Sequence, residues 1–314
     1  MGNRYSSIKT SLGIKIKLPS HMKRIIRLLN KIVDVFTATS IALFLLIVSY
    51  FLCRIFVADQ FIIPTDSMYP TLHVGDRVWV NKLIIGARIY EDINSANSST
   101  LCSWRTRGIR RVERNDILIF NYPNNDNKIA FKINYVYAKR CVALPGDSIS
   151  AIDGYYKNSS YHESLGNKRA QDYLNQVSED RLDECIKYTI PYSYDTFPWN
   201  IRNFGPIYVP RKGDVIHLNA ETLLFYSKIL EFETGKTFST SSDGTVLADG
   251  KPKEYHIFTH NYYFTIGDNV MNSCDSRYWG FVPEEYIVGV VGFIPYSIDK
   301  HTGELKENRI FKHV

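Results

Sequence analysis

Two side chains in this sequence sit in settings that suit covalent chemistry, a serine and a lysine. Ser67 lies in the stretch 61–72, FIIPTDSMYPTL, between Pro64 and Pro70. The prolines remove backbone donors and fix φ, so a stiff, extended or turn-like segment presents the hydroxyl and a regular helix is disfavoured. A serine in a turn is ordinarily solvated surface, so its interest depends on a partner. Lys139 lies in 128–144, KIAFKINYVYAKRCVAL, the longest strand signal in the chain. Counting by two, it shares a face with Tyr135, Tyr137, Cys141 and Ala143, and that face carries no other charge. Such a lysine either snorkels to a rim or is desolvated, and desolvation favours the neutral amine. At its reference pKa only about one lysine in 2,500 is neutral at pH 7, so a working base needs a pKa lowered by roughly 2–4 units.

No metal or cofactor is implied. His256 and His260 form the one close histidine pair, in an apparent strand region where such spacing does not converge on an ion. The five cysteines (Cys53, Cys102, Cys141, Cys185 and Cys274) show no CxxC or Cys/His ligand spacing.

The elements that must position Ser67 and Lys139 follow an apolar run. Residues 1–34 hold eight Lys/Arg against Asp34 alone, so the chain's net charge of +6 resides in this segment and the rest is near neutral. A nucleic-acid surface on the main domain is therefore not indicated. Residues 35–53, VFTATSIALFLLIVSYFLC, carry no charge and match the roughly 20 residues that cross a bilayer. The run is too long, and its flank too bulky, for a cleaved signal peptide. The expected organisation is a basic cytoplasmic tail (1–34), a transmembrane anchor (35–57) and a core of two parts (58–147 and 256–314). An inserted, less regular α+β subdomain (148–255) separates the two. The positive-inside rule puts everything beyond the anchor on the exported side. Abundant Tyr and Phe with dispersed Gly and Pro favour a mainly β fold.

Strands are expected at 77–82, 116–122, 128–144, 262–267 and 286–296, and loops at 92–103 and 268–280. Helices are expected near 168–177 and over 220–234, the latter capped by Asn219, stopped by Gly235 and apolar at Leu223, Leu224, Leu230 and Phe232. Arg105, Arg107, Arg110, Arg111 and Arg114 read as a solvated basic loop, with anionic lipid headgroups as the other reading. The last residues read as a polar tail.

Four segments together resemble bacterial type I signal peptidase: IPTDSMYPTL with GDRVWVNK (63–82), RNDILIF (114–120), YAKRCVALPGD (137–147) and GDNVMNSCDSRYWGFVP (267–283). They cover about a fifth of the chain, in the family's order, behind an N-terminal anchor. The resemblance implies a mainly β, antiparallel-sheet catalytic core and a membrane-anchored serine endopeptidase of the bacterial cytoplasmic membrane. Such an enzyme cleaves signal peptides from exported preproteins through an acyl-enzyme, by a Ser-Lys dyad. By this resemblance Ser67 matches the nucleophile, Lys139 the general base, Thr65 an oxyanion-hole hydroxyl and Ser273 the hydroxyl that orients the lysine. Gly267 matches a small residue that leaves room, and Asp268, Asp275 and Arg277 match charges that tie the last loop together. Ile63, Met68, Tyr137 and Ala138 match the lining of a cleft for small residues at positions −1 and −3. The partners implied are exported preproteins and the phospholipid bilayer, with no nucleic acid. Asn115 departs from the usual glycine of the third box, and Val270 and Met271 from the usual charged pair. Cys141 and Cys274, each within two residues of a matched group, are read as free thiols. A self-cleaving repressor would share the chemistry but needs a DNA-binding helix pair in place of the anchor. A catalytically silent, membrane-tethered preprotein-binding protein is the alternative from another class.

Overall fold

The computed structural model describes residues 8–9, 15–16, 19–91, 101–125, 128–183, 187–190 and 197–314. Two compact units emerge, Met1–Arg54 and Ile55–Val314. Helix α1 (Ser20–Phe56) has 37 residues, about 56 Å at 1.5 Å per residue. It is longer than the uncharged run because Lys23, Arg24, Arg27 and Lys31 also join it. It is long and apolar enough to cross a membrane, and none of its residues is buried. Thr37 and Thr39 donate to the carbonyls of Val33 and Val35 at 2.7 and 2.8 Å, so these hydroxyls are satisfied within the helix.

Eight strands of the second unit make one antiparallel sheet: β1 (Ala58–Ile62), β2 (Asp76–Asn81), β3 (Ile117–Asn121), β4 (Val136–Ala143), β5 (Tyr262–Ile266), β6 (Val282–Pro283), β7 (Ile287–Ser297) and β8 (Lys312–His313). The order is β6–β5–β4–β3–β7–β2–β1, with β8 also on β7. The mainly β character agrees with the composition, and the antiparallel sheet with what the resemblance implies. All five residues of β3 are buried because the sheet is covered on both faces. Leu118 and Phe120 pack with Cys141, Tyr286 and Ile287, whereas Ile117 and Ile119 pack with Met68, Leu72, Val78 and Val80. Alternate side chains thus feed two cores from one strand.

The 128–144 run is not one strand. A short piece, Lys128–Ile129, is separated from β4 by a turn. The cause is buried Asn121, whose amide donates to the carbonyls of Lys132 and Ile133 at 2.8 and 2.9 Å and bends the chain around itself. Of the expected 92–103 loop, residues 92–100 lie outside the described residues, as does Cys185. Helix α2 (Lys168–Gln176) begins on an Asn167 cap. Helix α3 (Ala220–Thr234) has an Asn219–Thr222 capping box and stops at Gly235, φ 66°. Its buried residues are Leu223, Tyr226, Ile229 and Leu230, while Leu224 is 44% exposed. Tyr226 reaches inward because its hydroxyl bonds the Tyr208 carbonyl at 2.8 Å. Ile149, Phe204, Tyr226 and Val246 share a core with Val142, Phe264 and Phe281.

Two expectations about charged segments fail. Near the C-terminus, Arg309 is buried on Asp76 (Nε–Oδ1 2.7 Å) and β8 pairs β7, so this segment is docked. In the basic cluster, Arg110 and Arg114 bond Asp116 and Asp147 through paired contacts, and Arg105 donates to backbone carbonyls. Only Arg107 and Arg111 are exposed. The partners that remove these arginines from solvent are nearby Asp116, more distant Asp147 and backbone carbonyls, and composition alone does not show which arginine finds one.

Candidate active site

Ser67 is carried by consecutive turns rather than a helix, with the Tyr69 N–H on the Asp66 carbonyl (2.8 Å) and the Leu72 N–H on the Met68 carbonyl (2.9 Å). Ile63 fixes the segment's entry by exchanging backbone bonds with Asp76 and Gly75 at 2.9 and 3.0 Å. Lys139 sits opposite Leu118 in the β3–β4 ladder and is 2% exposed. Its Nζ is hydrogen-bonded to Ser67 Oγ at 2.5 Å, across 72 residues of sequence. Burial pulls the Lys139 amine down to about 8; Arg277 acts in the same direction, while Asp275, Cys274 and Asp268 oppose it. No carboxylate lies within ion-pair distance of Nζ among the described residues, so desolvation is not offset by pairing.

Thr65 Oγ1 lies 3.5 Å from Ser67 Oγ. A cavity of about 190 Å³ opens beside the pair, and its lining includes Ile63, Thr65, Met68, Tyr137, Ala138 and Lys139. Ile63 and Met68 are buried and Tyr137 and Ala138 half-buried, so one side of the cleft wall is packed into the core and the other is accessible. Lys139 Nζ stands 5.5 Å from the Tyr137 ring centre.

The loop after β5 reaches the same point. A Cβ at Gly267 would lie 2.1 Å from Ser273 Oγ and 2.5 Å from the Ser67 carbonyl oxygen, so no side chain fits there. Ser273 is buried, and its Oγ has no hydrogen-bond partner among the described residues, Lys139 included. Asp268 accepts from Arg140 Nε and Nη2 at 2.7 and 2.6 Å and from Thr71 Oγ1 at 2.5 Å. Asp275 accepts from Arg277 Nε and Nη2 at 2.8 and 2.7 Å and from the Gly267 N–H at 2.8 Å. Burial pushes the Asp275 carboxyl up, but Arg277 outweighs it and the carboxyl stays below its ordinary value. Cys141 and Cys274 are both free thiols.

Arg140, Asp66, Asn269 and Asn272 were not singled out in the sequence. Arg140 follows Lys139 on a strand and so points to the other face, where a half-buried guanidinium must find an acid; that adjacency was the available signal. The Asn269 N–H donates to the Ser67 carbonyl at 3.0 Å, and Asn272 Nδ2 donates to both Asp66 carboxylate oxygens at 3.1 and 3.0 Å. The late loop is therefore tied directly to the serine turn.

The two departures from the motifs have local explanations. Asn115 adopts φ 71°, a conformation glycine and asparagine tolerate best, and its side chain bonds Ser164 and Gly166. Val270 replaces a charge because it packs against Leu174, Leu182 and Ile201.

The antiparallel scaffold thus brings a hydroxyl and a buried amine together beside a cleft. A model of the family "Signal peptidase, peptidase S26" matches residues 36–296, and the chain belongs to that family. It is 30% identical over 294 residues to signal peptidase I of Buchnera aphidicola subsp. Acyrthosiphon pisum, covering 92% of this chain and 85% of that one. Signal peptidase I of Aquifex aeolicus is 28% identical over 260 residues, 82% and 83% of the respective chains. A crystal structure of a signal peptidase I from Enterococcus faecalis V583 aligns with 20% identity and a TM-score of 0.29, over 58% of this chain and 98% of that one.

Proposed function

We propose that this protein is a membrane-anchored signal peptidase that cleaves N-terminal signal peptides from exported preproteins, with Ser67 as nucleophile and Lys139 as general base. The observation that carries the reading is the 2.5 Å contact between Lys139 Nζ, buried without a carboxylate, and Ser67 Oγ. With a pKa near 8, about a tenth of the lysine is neutral at pH 7, against about one in 2,500 for an unperturbed side chain.

The neutral Nζ takes the Ser67 proton as Oγ bonds to the scissile carbonyl carbon. The resulting ammonium then gives that proton to the departing amine, leaving an ester on Ser67. Water attacks the ester with Nζ again as base, and the proton returns to Ser67 Oγ as the carboxylate product leaves. Thr65 Oγ1 and the Ser67 N–H are assigned to the developing oxyanion, each donor contributing about 2.7–4 kcal/mol in comparable sites. Ser273, whose buried hydroxyl has no partner among the described residues, is assigned to hold the lysine once substrate enters. Asp268, Asp275, Arg277 and Gly267 position the loop that delivers it.

The cleft beside the dyad is small, in keeping with small side chains at positions −1 and −3 against Ile63, Met68, Tyr137 and Ala138. An extended substrate strand would alternate its side chains into such pockets. The apolar α1 fits a cytoplasmic-membrane location with the basic segment inside. Incubation of a preprotein with wild type and Ser67→Ala tests the reading. Cleavage by wild type alone is expected; a wild type that binds the preprotein and leaves it whole would establish the silent binding protein instead.

A further inference from the structure

A larger cavity, about 620 Å³, lies among residues the proposed chemistry does not use. Four cationic side chains converge on it from three parts of the sequence: Arg105 at the end of a short strand, Arg111 in the following loop, and Arg211 and Lys212 in the turn after Val209. Ile85, Val112, Leu144 and Ile287 give it an apolar floor. Arg110, also in the wall, is neutralised by Asp116, and Arg211 shares Asp214 at 3.0 Å. Arg111 and Lys212 are exposed, and neither side chain has a polar partner among the described residues. Arg105 is the informative member. Its guanidinium donates to the carbonyls of Gly86, Glu284 and Ile287 and contacts no carboxylate among the described residues. Burial, with Arg88 nearby, draws it down to about 10, only partly opposed by Glu284, Tyr263 and Glu285. Among the described residues Glu284 is the one acidic side chain in the wall; its Oε2 accepts from Asn261 Nδ2 at 2.8 Å and the Tyr263 hydroxyl at 3.3 Å, and five basic side chains outnumber it.

We propose that this cavity is a binding site for a phosphate-bearing anion, with Arg105, Arg111 and Lys212 supplying the charge and the apolar floor receiving the rest of the ligand. Forked guanidinium donors suit a tetrahedral oxyanion with several acceptor oxygens, and a concave wall strengthens their field beyond that of a flat surface. The same chemistry admits a soluble phosphate ester or the headgroup of an anionic lipid.

The test uses the full chain in neutral maltoside micelles, titrated with pyrophosphate by calorimetry, and in nanodiscs of phosphatidylcholine with or without phosphatidylglycerol. Wild type is expected to bind pyrophosphate saturably, more weakly at high salt. Arg111→Gln combined with Lys212→Gln is expected to bind at least tenfold more weakly while cleaving a soluble peptide at the wild-type rate. Loss of pyrophosphate binding in phosphatidylglycerol discs, but not in phosphatidylcholine discs, identifies the lipid headgroup as the source. Retained binding in both identifies a soluble phosphate. The proposal is overturned if neither pyrophosphate nor phosphatidylglycerol binding depends on Arg111 and Lys212, or if an acidic peptide without phosphate occupies the cavity in preference to both.

Discussion

Lys139 and Arg277 are both buried cations within one catalytic unit, yet the structure treats them in opposite ways. Arg277 is 0% exposed and clasped by Asp275 through two nitrogens, so burial and pairing balance and its charge is permanent. Lys139 is 2% exposed and meets a hydroxyl, so burial is opposed only by weaker, more distant charges. Arg140, the next residue on β4, repeats the paired pattern with Asp268. A buried cation held with its acid keeps its proton; a buried lysine held without one is the kind of group that the proposed chemistry needs as a base. The physical difference is whether the low dielectric acts on a pair or on a single charge.

Replacing each member separates the two roles. Ser67→Ala and Lys139→Met are expected to lower the cleavage rate by about 10⁴-fold or more, since knocking out either member of such a unit removes most catalysis. A preprotein assay reads this directly, and Lys139→His with full activity would discard the requirement for an amine. Arg277→Met should instead unfold the unit, costing about 3–5 kcal/mol because Asp275 is left as an unpaired buried charge. Denaturant melts of the detergent-solubilised protein measure it; an unchanged midpoint would mean that the pair is not structural.

Lys139→Met should behave differently in the same melts. The folded-state pKa of Lys139 lies below its unfolded value, so folding disfavours its protonated form. Wild type is penalised at neutral pH and gains stability as pH rises from about 8 toward 10.5. The methionine variant should therefore be no less stable at pH 7, and its advantage should shrink at higher pH. For activity, kcat/KM is expected to rise about tenfold per pH unit and to level off near pH 8. A profile flat from pH 6 to 9 would show that a neutral lysine is not limiting. The smallest effect concerns neither cation: Asn219→Ala, which removes the α3 capping box, should cost about 0.5–2 kcal/mol without altering cleavage.

Much of this arrangement was legible in the residues. The caps of α3, the strand around Lys139 and the uncharged face it shares follow from local rules, and the four motif segments gave the family. Other features were not legible, for a common reason. The bend before β4 depends on Asn121 reaching two carbonyls, the docked C-terminal segment depends on Asp76 receiving Arg309, and the ordered arginines depend on Asp116 and Asp147. Each is a polar group whose partner lies elsewhere in the chain, and alternation patterns carry no record of partners.

The sequence by itself marked Ser67 and Lys139 as candidates, and determined the period that puts Lys139 on an uncharged face and an apolar helix ahead of the serine. Only the tertiary structure decided that Nζ and Oγ meet at 2.5 Å and that, among the described residues, Ser273 Oγ has no partner and Lys139 no carboxylate such as Asp268 gives Arg140. Residue type and spacing set what a side chain is able to do. The dielectric around it and the charge beside it are set by packing, which for Lys139 and Arg140 joins segments 72 and 128 residues apart.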